Sequence, residues 1–185
     1  MNKTIFNIIF LFLFLNPFFV FGKEAGESSK ITYKTILQEE LEEKKAIFYK
    51  KISIKNILEK YQSPLSDYVD NFIKVCYEKQ INCYLLPSIA GVESTFGRYI
   101  IPLSFNPFGW GGGKIIFKNW EEAIEKVSEG LKKNYFDRGL TTIESIGKVY
   151  AESLLWSSKV LFFMNEFQKE EENIRLYFEK NNVKL

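Results

Sequence analysis

Leu85-Leu86-Pro87-Ser88-Ile89-Ala90-Gly91-Val92-Glu93-Ser94-Thr95-Phe96-Gly97 is the stretch on which the reading of this chain turns. An apolar run opens it, with Pro87 in the early turns, where a missing N–H costs nothing. The spacing predicts a buried helix that opens at Asn82 or Cys83 and ends at Glu93. A carboxylate delivered by such a helix to a Gly/Pro-rich loop is partly desolvated. Desolvation raises a Glu pKa and keeps the proton on near neutrality, as a general acid requires. The helix C-terminus disfavours a second negative charge and pushes the same way. The plain alternative is a helix-terminal Glu that simply reaches water.

Upstream, Ser63-Pro64 reads as an N-cap followed by Pro at the first helical position. Leu65, Tyr68, Val69, Phe72, Ile73 and Cys76 then form one apolar stripe of helical period, a core face. Downstream, Gly97 to Gly113 holds two prolines and five glycines and excludes a regular helix, leaving Phe105, Phe108 and Trp110 unexplained by periodicity. Ile115-Ile116-Phe117 suits a short strand. Asn119 with Glu122 resembles a capping box, and the helix after it buries Trp120, Ala123, Ile124, Val127 and Leu131. Thr141 with Glu144 repeats that signal before Ile143, Ile146, Gly147 and Tyr150. A last helix starts near Trp156, turns Val160, Phe163, Met164 and Phe167 inward, and projects a charged end, 169–182, into solvent. The expected fold is mainly α with at most a small β element, and no internal repeat is visible.

At the other end, Lys3 precedes an apolar run, Ile5 to Leu15, interrupted only by Asn7, and Asn16-Pro17 breaks it before Val20-Phe21-Gly22. This is the layout of a secretory signal peptide over 1–22. An uncleaved membrane anchor is the alternative, since the run is near the lower limit of a spanning helix. Seven of the eighteen Phe lie in this segment. Residues 23–50 are charge-rich without a strong apolar face, which suits a linker or a loosely held helix. The domain proper is expected over 51–185. An exported chain meets oxidising conditions, where a disulfide between Cys76 and Cys83 is favoured over two buried thiols.

Composition narrows the chemistry. Hydrophobic residues are 46% and charged residues 26%, enough for a packed core. Lys plus Arg is 25 against Asp plus Glu 23, a balance that gives no support for a nucleic-acid partner held by bulk charge. His is 0, which removes Ser-His-Asp and Cys-His nucleophile systems and every His-containing zinc site. Two cysteines do not make an all-cysteine zinc site, so neither metal nor cofactor is expected.

Ile89 to Gly97 resembles the catalytic helix end of the lysozyme-like superfamily, where a Glu-Ser pair followed by Gly ends an apolar helix in lytic transglycosylases and bacterial N-acetylglucosaminidases. Asn106-Pro107-Phe108-Gly109-Trp110 resembles the glucosaminidase N-x-F-G element. Phe117-Lys118-Asn119-Trp120-Glu121-Glu122-Ala123-Ile124 resembles the start of its next helix. Ile146-Gly147-Lys148-Val149-Tyr150-Ala151, with Trp156 and Lys159-Val160, resembles its closing element. Together these cover 71–167. The Gly-Leu-Met-Gln segment typical of soluble lytic transglycosylases is absent, which puts the chain nearer the glucosaminidase branch. Glu152-Ser153-Leu154-Leu155 departs from relatives, which tend to carry Pro or Asp there.

The resemblance implies an exported, metal-free endo-β-N-acetylglucosaminidase-like enzyme of lysozyme-like fold, acting on peptidoglycan or a related glycan in the cell envelope or outside the cell. Glu93 would protonate the glycosidic oxygen. Ser94 would orient that carboxyl or bind an acetamido group, or else cap the helix. Asn106 would bind substrate, or else form a turn. Phe108 and Trp110 would stack on sugars, or else pack in the core. Tyr150 would face Glu93 across the cleft, or else hold one more apolar position. A second carboxylate, if one is needed, comes from Glu121, Glu122, Asp137, Glu144 or Glu152; otherwise the substrate's acetamido group assists. A lytic product with a 1,6-anhydro end and a catalytically weak wall-binding module are the rival readings. A monomer is expected, with membrane contact only through an uncleaved leader.

Overall fold

The structure, a computed structural model, describes residues 24–181, with side chains from residue 33 onward; the leader reading over 1–22 lies outside them. The chain divides into two units, 1–41 and 42–185. Among the described residues there are six α-helices: α1 (Glu24–Lys60), α2 (Val69–Lys79), α3 (Leu85–Ser94), α4 (Trp120–Asn134), α5 (Ile143–Tyr150) and α6 (Trp156–Lys180). Among the described residues there is no strand, and no helix is long and apolar enough to cross a membrane. The chain is mainly α. Where a strand was expected, Ile115 to Phe117 is irregular. Its backbone tie to Ser104 is one bond, Phe117 N–H to the Ser104 carbonyl at 2.8 Å, too little for a ladder.

In the first unit the described residues are helical, and Tyr33, Ile36, Leu37 and Leu41 are exposed. The stretch expected as linker or loose helix over 23–50 is helical from Glu24 without a break at residue 50. Its Glu, Lys, Leu and Gln content supplies helix propensity.

The second unit is built on the stripes. Leu65, Val69, Phe72, Ile73 and Cys76 are buried and Tyr68 half-buried, and α2 packs on α4 through Ala123, Ile124, Val127 and Leu131. Ser63 caps as expected, accepting the Leu65 N–H at 3.0 Å, although Pro64–Tyr68 is a 3-10 turn before α2 proper. Asn119 takes the Glu122 N–H at 2.8 Å, but Glu122 reaches the Lys118 N–H rather than closing the box on Asn119. The cap of α5 is Thr142 with Ser145, one residue beyond the expected Thr141 with Glu144; each hydroxyl takes the other residue's N–H. Cys76 and Cys83 are disulfide-bonded, their Cα atoms 4.9 Å apart across the turn from α2 to α3.

Helix α6 crosses α3 and α5 and fixes the rest of the core. The Phe167 ring stacks on Tyr84 at 5.4 Å and meets Phe96 edge-on at 6.2 Å. The charged end of α6 does not simply enter solvent as expected. Glu166 takes Lys60 at 3.0 Å and the Tyr61 hydroxyl at 2.8 Å, while Glu170 takes Asn56 at 2.7 Å. Glu171 takes the Tyr84 hydroxyl at 2.6 Å and Lys50 at 3.2 Å, and Ile174 is buried. One face of this end is therefore bound to α1.

Phe167 is fully buried and Leu154 is 98% exposed. Phe167→Ala should lower unfolding free energy by about 3–5 kcal/mol through lost contacts and a cavity, and Leu154→Ala should stay within about 0.5 kcal/mol. Urea denaturation measures both; equal losses would contradict this packing.

Candidate active site

The end of α3 is an abrupt turn. Thr95, Phe96 and Gly97 all take positive φ, at 51°, 57° and 82°. For Thr and Phe this is an uncommon backbone state, and such states persist where the surroundings over-determine them. Here the surroundings are explicit. The Phe96 N–H bonds Ala90 O at 2.9 Å, its ring is fully buried, and its carbonyl accepts the Ser63 hydroxyl at 2.6 Å. The turn leaves Glu93 on the surface of a cleft while the residues around it are locked.

Ser94 supplies much of that locking. It is buried, its hydroxyl lies 2.7 Å from Pro107 O and 3.0 Å from Ala90 O, and it accepts the Gly97 N–H at 2.8 Å. Its one donor is committed within the protein and the side chain is buried, so it is not presented to a sugar. Asn106 is likewise buried and occupied: Nδ2 donates to Trp110 O and Ile115 O, and Oδ1 accepts the Trp110 N–H. Phe108 is fully buried in the core. These three residues, expected to contact substrate, instead hold the loop in shape. The capping, turn and core alternatives are the ones the geometry supports.

The loop so held brings Gly109 against the catalytic candidate. A Cβ at Gly109 would lie 2.8 Å from Glu93 Oε2, and φ there is +62°. Only glycine fits such an approach. Trp110 lies over Gly130 of α4, whose Cβ would enter the indole ring, and it keeps a partly open face beside Tyr135 and Tyr150. The Tyr150 hydroxyl donates to Phe108 O at 2.6 Å, and its ring stacks on Trp156 at 4.8 Å. Burial pushes the Tyr150 phenol well up, with the Glu93 and Tyr135 side chains adding to it, so it stays a protonated donor.

Trp156 completes the arrangement. Buried at the start of α6, it donates its indole N–H to Glu93 Oε1 at 2.7 Å. Glu93 itself is exposed along the cleft, yet its carboxylate end is hemmed in by Gly109 and Trp156. Desolvation raises its pKa above the ordinary Glu value; the Trp156 hydrogen bond and the Lys159 charge pull the other way without cancelling it. A carboxyl with one oxygen fixed and the other open, biased toward protonation, is equipped to give a proton.

The cleft around Glu93 holds about 560 Å³, with Tyr150, Glu152, Ser153, Trp156 and Lys159 opposite the Gly109–Gly113 loop. A second recess of about 260 Å³ continues past Gly109, Gly112 and Tyr150 to Trp110, Asn134 and Tyr135. Of the five carboxylates considered as a partner for Glu93, Glu152 alone lines the cleft. Asp137 pairs with Lys132 at 3.1 Å, Glu122 takes the Lys118 N–H ahead of α4, and Glu121 and Glu144 are exposed on helix starts. Sequence reasoning did not find Trp156 as the partner of Glu93, nor Lys159 and Tyr135 as wall residues. Trp156 and Lys159 were visible in the closing element; Tyr135 carried no signal of its own.

No protein-family model matches the chain, and no curated protein matches its sequence.

Replacing Trp156 by Phe keeps a ring in the core and removes the donor to Oε1. The carboxylate then loses its main stabiliser, and the Glu93 pKa should rise further. Carbon-13 titration of the side-chain carboxyl measures this directly; a pKa that stays put or falls would contradict the hydrogen bond's role.

Proposed function

We propose that this chain is an exported glycosidase that cleaves β-1,4 bonds of peptidoglycan or a related N-acetylglucosamine-containing glycan, with Glu93 as general acid on a lysozyme-like helical scaffold. The observation that carries the reading is the asymmetry of the Glu93 carboxyl: Oε1 is held by Trp156 at 2.7 Å while Oε2 faces the Gly109 side of an open cleft. The carbonyl oxygen of a carboxyl is its better acceptor, so with the indole N–H on Oε1 the acid proton is favoured on Oε2. From there it passes to the glycosidic oxygen as the anomeric C–O bond breaks, and the leaving sugar departs as a neutral alcohol. The partly open aromatic faces of Trp110, Tyr135 and Tyr150 beside this point suit the apolar faces of sugar rings. Export rests on the layout of residues 1–22.

The positive charge developing at the anomeric carbon needs a partner. Glu152, on the lip of the cleft, fits that role in a hydrolytic route ending in a free reducing-end sugar. Participation of the acetamido group, or internal attack giving a 1,6-anhydro end, needs no second carboxylate.

Glu93→Gln preserves shape and the acceptor for Trp156 but carries no acid proton. Turnover on purified cell-wall glycan should fall by roughly 10²–10⁴-fold with binding retained. Release of soluble fragments, resolved by mass spectrometry into reducing and anhydro ends, reads the result. Full activity in this variant would remove Glu93 from the mechanism, and wall binding without fragments in both proteins would leave a binding module.

A further inference from the structure

From Ser94 to Trp120 the chain carries three cations, Arg98, Lys114 and Lys118, and no carboxylate. The same stretch leaves apolar side chains uncovered: Leu103 is 81% exposed, Ile116 74%, Tyr99 69%, Ile101 56% and Ile115 40%. Hydrogen bonds bring its two halves together. The Ser104 N–H closes a turn on Ile101 O at 3.0 Å, and the Phe117 N–H bonds Ser104 O at 2.8 Å, which sets Leu103 next to Ile116. Asn106 Nδ2 donates to Ile115 O at 3.0 Å. Ser104, Asn106 and Phe117 are buried, so the base is fixed while the tip stands in water. Leu103 even takes φ of 62°, an uncommon state for a bulky residue, and one that persists where the surroundings impose it.

The cations sit among these side chains. The Arg98 guanidinium lies over the Tyr99 ring at 5.6 Å and donates to Tyr61 O at 3.5 Å, and Lys114 and Lys118 bracket the 115–117 segment. Carboxylates from neighbouring elements are engaged elsewhere or stand at the border. Glu93 is held in the cleft by Trp156, and Asp67 lines the groove beside Lys51 and Lys55. Glu121 and Glu122 open α4, with Glu122 turned to the Lys118 N–H. Among the described residues none of the three cations forms an ion pair.

We infer that this tip docks on an anionic lipid surface, with Leu103, Ile116 and Ile101 entering the boundary between headgroups and acyl chains. Two observations select that occupant. The charge of the stretch is of one sign and complements acidic headgroups. Its chemistry is also wrong for a protein partner, whose contact core favours aromatic residues and thins out lysine. Aliphatic side chains beside lysine and arginine, with one tyrosine, match the membrane boundary. This lipid contact is additional to the one expected through an uncleaved leader and does not depend on the glycosidase reading.

Cys76 and Cys83 are bonded to each other, so a single introduced thiol takes a fluorophore alone. In the full chain, an environment-sensitive label at Leu103→Cys or Ile116→Cys should shift to the blue with vesicles of equal parts phosphatidylglycerol and phosphatidylcholine. Brominated acyl chains should quench it. A label at Leu176→Cys, exposed on the far part of α6, should show neither effect. Arg98→Gln with Lys114→Gln and Lys118→Gln should raise the lipid concentration for half of the blue shift roughly 100-fold. Helix content and thermal midpoint should not change, since all three side chains are exposed. Vesicle binding with both loop labels still in water would place the contact elsewhere, the leader included, and overturn the inference. A triple variant that responds like the parent would do the same. A blue shift on concentrating the protein without lipid would mark a contact between protein copies and overturn the lipid assignment.

Discussion

An indole N–H offered to one carboxylate oxygen fixes more than a rotamer. To make that bond at 2.7 Å, α3 must present Glu93 and α6 must present Trp156 in one register, 63 residues apart in the chain. The supports of the site serve this requirement. Tyr150 stacks on the indole from behind and ties it to the loop through Phe108 O, and the loop in turn sets Gly109 against the other oxygen. The carboxyl is bounded on two sides and open on the rest. Its tendency to hold a proton comes from the enclosure, moderated by the Trp156 donor and the Lys159 charge.

The loop is governed by a different constraint. A Gly/Pro-rich segment with little regular structure has backbone groups that must be paired when buried. Asn106 does this with one side chain, acting as both donor and acceptor across residues 106–115, and Ser94 does it for the joint between helix and loop. Their burial explains why residues that look like substrate contacts by position act as internal braces. The faces left toward the cleft belong to Trp110, Tyr135 and Tyr150, which are only partly covered.

Much of the scaffold was legible in sequence because its helices announce themselves by apolar period: the Leu65–Cys76 stripe, the Ala123–Leu131 stripe and the Val160–Phe167 stripe all face inward. What was illegible depends on partners far along the chain. The acidic end of α6 reads as a solvated tail until Lys60, Asn56 and Lys50 are brought to it, across separations of 106 to 121 residues. Thr141 and Thr142 are equivalent candidates for a cap until the backbone selects one. At the site, the helix-end position and raised pKa of Glu93 were readable from neighbours in sequence. The division of labour among Ser94, Asn106, Phe108 and Trp110 was not, because one-dimensional spacing does not say which side of a loop is the inside.

The clasp between Cys76 and Cys83 joins two helices that are also neighbours in sequence, so the turn from α2 to α3 is held by a local link. Local pairings form early and distant ones late. Trp156 and Lys159, by contrast, arrive on the last helix of the chain, which makes the Glu93 environment among the final things to be completed. A chain still being synthesised carries the carboxylate but neither the indole that orients it nor the wall opposite. The constellation is therefore withheld by chain order alone until the C-terminal helix has docked, and nothing resembling an inhibitory pro-segment is needed to delay it.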